Sequence, residues 1–317
     1  MRCGLLGLAI AGLLMGAQPA SAQVRKGGKP AVSPLFLNMQ ATGKPALIIA
    51  GSVDCIYCRE MSQELASDPA LQPLVNQMFV VKVDTASRDW PDLRQTFQFE
   101  ESGIPAVFFV RADGKLLYSD AGKPRDLQGF LKKQLDQSGK LLDEKTMKAL
   151  VRDARLAEQA QKRKDFAKLA TLVQDHHGTG SYAAAALLFD RLGEELVAEA
   201  TRRIEAAEKQ LSDGDAAFDG DAAFDGVLAF LDLEREFGTY EAAKAPIAAA
   251  LKGIEEHADR KPLLEQARLV APARDAEQAK KWKAAAETYQ RLVETAPDSP
   301  AGKYAAERLK VVGPRVR

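Results

Sequence analysis

An uninterrupted apolar run, ALIIA (46–50), leads through Gly51-Ser52-Val53-Asp54 into a pair of cysteines, Cys55-Ile56-Tyr57-Cys58. A run that is apolar at every position reads as a strand covered on both faces. Met61 and Leu65, four residues apart beyond the pair, read as the buried stripe of a helix. The pair therefore sits where a buried strand turns into a helix. The one other cysteine, Cys3, falls within MRCGLLGLAIAGLLMGAQPASA (1–22). That stretch has the basic start, short apolar core and Ala-Ser-Ala end of a secretory signal peptide cleaved after Ala22. The mature chain is then expected to keep Cys55 and Cys58 alone, in a periplasmic or secreted and oxidising setting.

About 295 residues would remain after cleavage, a length that favours two domains. Lys and Arg together number 44, as do Asp and Glu. No basic surface calls for nucleic acid. No later segment approaches the 18 apolar residues of a membrane span. Residues 23–34, QVRKGGKPAVSP, mix Gly, Pro and charge without periodicity and read as a flexible tether. Strand-like runs then fill the chain as far as about 140, and Ala, Glu, Lys and Leu dominate beyond it. The expected architecture is an α/β domain over 35–140 followed by an all-α domain over 141–317.

Within the first domain the order reads element by element. After ALIIA and the cysteine helix, Ser67-Asp68-Pro69 reads as the start of a new helix. FVVKVD (79–84) is a strand, and Trp90-Pro91-Asp92-Leu93 opens a short helix ending before Gly103-Ile104-Pro105. Two strands flank the turn Ala112-Asp113-Gly114-Lys115. Asp126 caps a last helix with Leu127, Phe130, Leu131 and Leu135 inward. With CIYC at the strand–helix turn and GIPAVFFV further on, this order resembles the thioredoxin fold over about 35–138. The resemblance implies that the Ile104–Pro105 bond is cis, that Pro105 lies against the cysteines, and that the Ile104 backbone pairs with an extended substrate, as in strand addition. Two departures stand out. The Trp-Cys-Gly-Pro-Cys of thioredoxins is here Asp54-Cys55-Ile56-Tyr57-Cys58, and the buried acid of the preceding strand is missing, because Ile49 and its neighbours are apolar.

A cysteine at a helix start faces unpaired N–H groups and the positive end of the helix dipole, both of which favour the nucleophilic thiolate. Cys55 is expected to attack and Cys58, one turn deeper, to resolve the mixed disulfide. A loop this short restricts the unfolded chain little, which argues against a structural staple. Zinc needs four ligands, and His176, His177 and His257 all lie in the other domain, so no metal is expected. Attachment of c-type haem needs a histidine where Arg59 stands. No cofactor is expected beyond the redox-active disulfide. Asp54 disfavours the thiolate and Arg59 favours it; with Tyr57 they are the residues expected to modulate the pair.

The second domain repeats. A copy beginning AEQAQKRKDF at 157, a middle copy from about 228, and one beginning AEQAKKWKAA at 276 each read helix, turn, Ala-rich helix, with turns near Tyr182, Tyr240 and Pro300. Small residues facing bulky ones across helix pairs resemble tetratricopeptide-type repeats, which implies a concave surface for partner proteins. A plain helical bundle is the competing reading. Between copies lies the tandem DAAFDG-DAAFDG, which lacks a third oxygen ligand at Ala217 for calcium and reads as a loop or frayed helix end. His176 and His177 read as C-terminal caps. The whole describes an extracytoplasmic thiol–disulfide oxidoreductase acting on protein thiols or disulfides, with an unidentified redox partner and a helical domain that recruits partners. The rival is a cell-envelope scaffold whose CxxC is a sensor or a vestige.

Overall fold

A computed structural model describes residues 33–216 and 220–316. The signal peptide, most of the tether and Phe218 lie outside them. The first domain is built on β1 (Ala46–Gly51), the strand read as ALIIA. It pairs in parallel with β2 (Phe79–Asp84) and antiparallel with β3 (Ala106–Val110), which pairs antiparallel with β4 (Leu116–Ala121). The strand order is β2-β1-β3-β4.

Alternation along β1 divides the core in two. Ala46, Ile48 and Ala50 join Met39, Leu93, Phe99 and Phe108 on one face. Leu47 and Ile49 join Met61, Leu65, Phe109, Leu127 and Leu131 on the other. The helices that cover these faces are α1 (Ser33–Thr42), α2 (Ile56–Ser67), the short α3 (Gln72–Val75), α4 (Asp89–Phe97) and α5 (Leu127–Asp136). Asp126 caps α5 by accepting from the Gly129 N–H at 2.9 Å. Two expectations need correction. The tether ends sooner than read, because Ser33 and Pro34 already form the first turn of α1. Asp68 closes α2 and does not open a helix: its carboxylate accepts from Ala70 N–H in a tight turn, and α3 starts only at Gln72.

The second domain consists of α6 (Glu144–Arg163), α7 (Phe166–His176), α8 (Ala184–Ala216), α9 (Gly220–Phe237), α10 (Glu241–Glu256), α11 (Lys261–Gln278), α12 (Trp282–Thr295) and α13 (Pro300–Val312). The turns expected near Tyr182, Tyr240 and Pro300 all fall between helices. Lys164 and Lys280 each take the left-handed conformation, φ 56° and 57°, at the breaks α6/α7 and α11/α12. The starts of α7 and α12, and of α8 and α13, keep the same spacing. The copies thus align on these breaks, three residues off the register given by their shared AEQA. The second DAAFDG copy is no loop: it lies in α9, with Ala223 and Phe224 buried in the helical core. His177 is the C-cap of α7 and His176 a basic residue of its last turn, as read, while their rings have partners elsewhere. His176 Nε2 lies 3.0 Å from the buried Asp153 carboxylate of α6, and the His177 ring meets Tyr240 edge-on.

The domains meet at the end of the sheet where β1 begins and β3 ends. There the Arg111 guanidinium, held by Asp113 at 2.6 Å, lies 3.5 Å over the Tyr182 ring. Lys140 N–H donates to Gly180 C=O at 2.8 Å. Gly139, at φ +79°, has no room for a side chain: an added Cβ would stand 2.5 Å from the Tyr182 ring and 2.6 Å from the Gly180 oxygen.

Gly139→Ala should therefore cost about 1–3 kcal/mol through strain and displacement of Tyr182. A lower melting temperature together with a larger radius of gyration in small-angle scattering would report a loosened junction. A second outcome follows from Asp153, whose carboxyl is held below the ordinary range first by Arg152 and then by His176, against the opposing effect of burial. A depressed folded-state pKa contributes stability that is present above the unfolded value of about 4 and is lost as pH falls through the folded one. Asp153→Asn should lower stability at pH 7 by about 1–3 kcal/mol and flatten acid unfolding of the helical domain, followed by circular dichroism.

Candidate active site

β1 and β2 leave the sheet together at Gly51 and Asp84. β3 enters at Ala106, opposite both Ala50 of β1 and Ala121 of β4. The connections 52–55, 85–88, 98–105 and 122–126 therefore emerge at one edge, at the opposite end of the sheet from the domain junction. Topology alone places CIYC and Ile104-Pro105 at the same end of the sheet.

Cys55 is the N-cap of α2, and its Sγ accepts from Cys58 N–H at 3.1 Å. The two cysteines form a disulfide with Cα atoms 5.2 Å apart. Each is 8% exposed, so accessibility does not rank them; position on the helix does, with Cys55 at the cap and Cys58 one turn in. Asp54 and Arg59 are exposed on either side. The Ile104–Pro105 bond is cis. Pro105 is buried and its carbonyl accepts from Gly122 N–H at 2.7 Å. A Glu101 carboxylate oxygen accepts from Ala121 N–H at 3.1 Å, a second tie between this loop and β4. The loop rests on the edge-on cluster of Trp90, Phe99 and Phe108.

Sequence reasoning missed Gly51. A Cβ there would stand 2.4 Å from Cys58 Sγ. The glycine is required by that approach, a tertiary fact with no local signature. Also missed was Lys82, which pairs in register with Ile49. Both line a cavity of about 580 Å³ beside Cys58, together with Arg59 and Asp84. β1 carries the apolar Ile49 here, and Arg59, Lys82 and Asp84 give the approach to the inner sulfur charges of both signs. The surroundings of the disulfide are apolar as well. Val53, Ile56 and Tyr57 are 79%, 60% and 62% exposed and Ile104 is 38% exposed; these are four of the eight large apolar side chains left exposed among the described residues.

Residues 36–112 match the family described as Thioredoxin-like. The first domain has a thioredoxin-like fold. Among solved structures, a thioredoxin from Thermus thermophilus is 24% identical, the match covering 33% of this chain and 82% of that one with a TM-score of 0.27. A disulphide isomerase from Xylella fastidiosa Temecula1 is 29% identical over 33% of this chain and 77% of that one, with a TM-score of 0.24. No curated protein matches the sequence. A thioredoxin-like fold that carries a CxxC pair suggests a thiol–disulfide oxidoreductase.

Gly51→Ala should push the Cys58 sulfur out of its seat. Overpacking of this kind costs about 1–3 kcal/mol, seen as a lower melting temperature of the oxidised protein. An unchanged melting temperature would show that β1 yields freely at its end.

Proposed function

We propose that the protein is an extracytoplasmic thiol–disulfide oxidoreductase that acts on protein cysteines, with the helical domain recruiting its partners. The observation that carries the redox reading is the disulfide at the start of α2, with one of its sulfurs as the helix cap. In the reducing direction, the Cys55 thiolate attacks a substrate disulfide, forms a mixed disulfide and releases one substrate thiolate. The Cys58 thiolate then attacks Cys55 Sγ and releases the other. The substrate gains two electrons and the protein is left as the Cys55–Cys58 disulfide, to be re-reduced by a dithiol partner; the oxidising direction runs the same steps backward. The N–H groups and dipole at the helix start favour the Cys55 thiolate.

Substrate engagement follows from the surface. Ile104, exposed beside Pro105, offers backbone for strand addition, a mode that reads the main chain and suits many sequences. Val53, Ile56 and Tyr57 supply apolar contact, which favours segments of incompletely folded protein over small thiols. Asp54, Tyr57 and Arg59 modulate the pair, and no metal or bound cofactor takes part. The signal-like N-terminus supports a periplasmic or secreted location.

Cys55→Ser should abolish exchange with a disulfide-bonded peptide under dithiothreitol. Cys58→Ser should accumulate mixed disulfides at Cys55, resolved as a slower band on non-reducing gels. Trapping by the Cys55 variant in place of the Cys58 variant would reverse the roles. Exchange that survives both substitutions would remove the redox reading.

A further inference from the structure

The helical domain holds a cavity of about 330 Å³ between α11, α12 and α13, lined by Arg274, Glu277, Gln278, Trp282, Tyr304 and Arg308. Most of the polar groups that fill such a space are committed. Arg308 grips the Glu277 carboxylate through Nε, at 3.2 Å, and Nη2. Glu277 also accepts from the Tyr289 hydroxyl at 3.1 Å. Arg274 Nη2 is bound to Asp232 at 2.5 Å. Those pairs fix both guanidiniums in place and occupy three of the roughly four acceptor positions of the Glu277 carboxylate. Among the described residues, Arg274 Nη1, Arg308 Nη1, the Tyr304 hydroxyl and Trp282 Nε1 have no hydrogen-bond partner within the protein. The cavity lining therefore carries four uncommitted donors against few acceptors, the Gln278 amide and a Glu277 carboxylate already bonded three times.

Trp282, on the cavity lining, stands among cations in the sequence. Lys280, Lys281 and Lys283 surround Trp282 in the sequence, and none of them forms an ion pair among the described residues. Arg315 lies 4.9 Å from the centre of the Trp282 ring. The internal repeat sharpens the point. In the first copy the residue before α7 is Asp165, whose carboxylate caps the helix by accepting from Lys168 N–H at 3.2 Å. The matching residue before α12 is Lys281, which provides no side-chain cap. Cations crowding an uncapped helix start oppose the dipole, a local cost that an anion in the cavity would reverse. The aromatic position diverges too: Phe166 of the first copy is stacked by Phe237 at 5.3 Å, whereas its counterpart Trp282 faces the open cavity.

We propose that this cavity binds a carboxylate carried on an apolar group. The carboxylate takes the spare Arg274, Arg308 and Tyr304 donors, and the apolar part lies along Trp282. Charge-assisted hydrogen bonds from fixed guanidiniums supply the specificity, and the volume suits one terminal residue or a small acid. The proposal does not depend on the redox reading, because the cavity contains no sulfur and its test uses none.

The chain has two tryptophans, so the full-length Trp90→Phe protein reports on Trp282 by fluorescence. It would be titrated with a pentapeptide ending in leucine, the same peptide amidated, N-acetyl-leucine and benzoate. A saturable response to free carboxylates, absent for the amide, is the expected result. Tyr304→Phe, which keeps the ring beside Arg274 and removes only the hydroxyl, should weaken binding about tenfold, as should Arg308→Gln. Tighter binding of the peptide than of N-acetyl-leucine and benzoate would identify the source as a polypeptide C-terminus; equal binding would identify a free small acid. No saturable response to any probe up to about 5 mM, equal binding of the amide, or Tyr304→Phe binding like its parent would each overturn the proposal.

Discussion

The first domain depends on β1 being buried on both faces. From Ala46 to Ala50 no residue is more than 3% exposed, and each successive side chain is claimed by a different core. A strand in that position cannot slip by one residue without exchanging its two cores. Its register therefore fixes β2 and β3, and through Ala50 opposite Ala106 it fixes where the Pro105 loop lies relative to Cys55. The site inherits its placement from a strand whose last residue, Gly51, leaves room for the Cys58 sulfur. The helical domain solves burial differently. Alanines such as Ala157, Ala170, Ala186 and Ala267 let helices approach closely, and Phe189, Phe230, Phe237 and Tyr289 fill the space between them.

Much of this was legible in the chain. The doubly buried strand, the helix start at the cysteines, the hairpin at 112–115 and the inter-helix turns each rest on residues a few positions apart, and local pattern carries that kind of information. The cis bond at Pro105 was legible only through family resemblance, because nothing local marks an Ile-Pro pair as cis. The misreadings share a cause. Asp68 satisfies the rule for a helix start as well as it serves the tight turn that closes one. The second DAAFDG copy has a loop-like content of acid and glycine, yet Ala223, Phe224, Val227 and Leu228 form a buried helical stripe. His176 and His177 do end α7 as read; only the ring partner of His176, Asp153 on another helix, lay beyond local pattern. α1 went unread because Leu35, Phe36, Leu37 and Met39 follow no single stripe, and Leu37 is left exposed.

Gly51, Lys82 and the cavity donors belong to a further class. Their meaning is a distance to something far along the chain, and no window of sequence contains it. Lys82 is exposed on β2, and only the strand register sets it against Ile49. The same holds for Lys281, whose wrong sign at a helix start is visible only when the breaks at Lys164 and Lys280 superimpose the copies. Where local chemistry and position disagree in this way, function is the usual reason.

The junction built from Arg111, Tyr182 and Gly139 sets a ruler into the molecule. It lies at the far end of β1 from Cys55, and six strand residues measure about 20 Å. If partners seat on the helices as proposed, each would have to carry its cysteine past that length on its own chain before any sulfur could meet another. Reach would then become a criterion of selection. A cysteine on a long mobile segment would qualify and one anchored in a compact fold would not, whatever the residues around it.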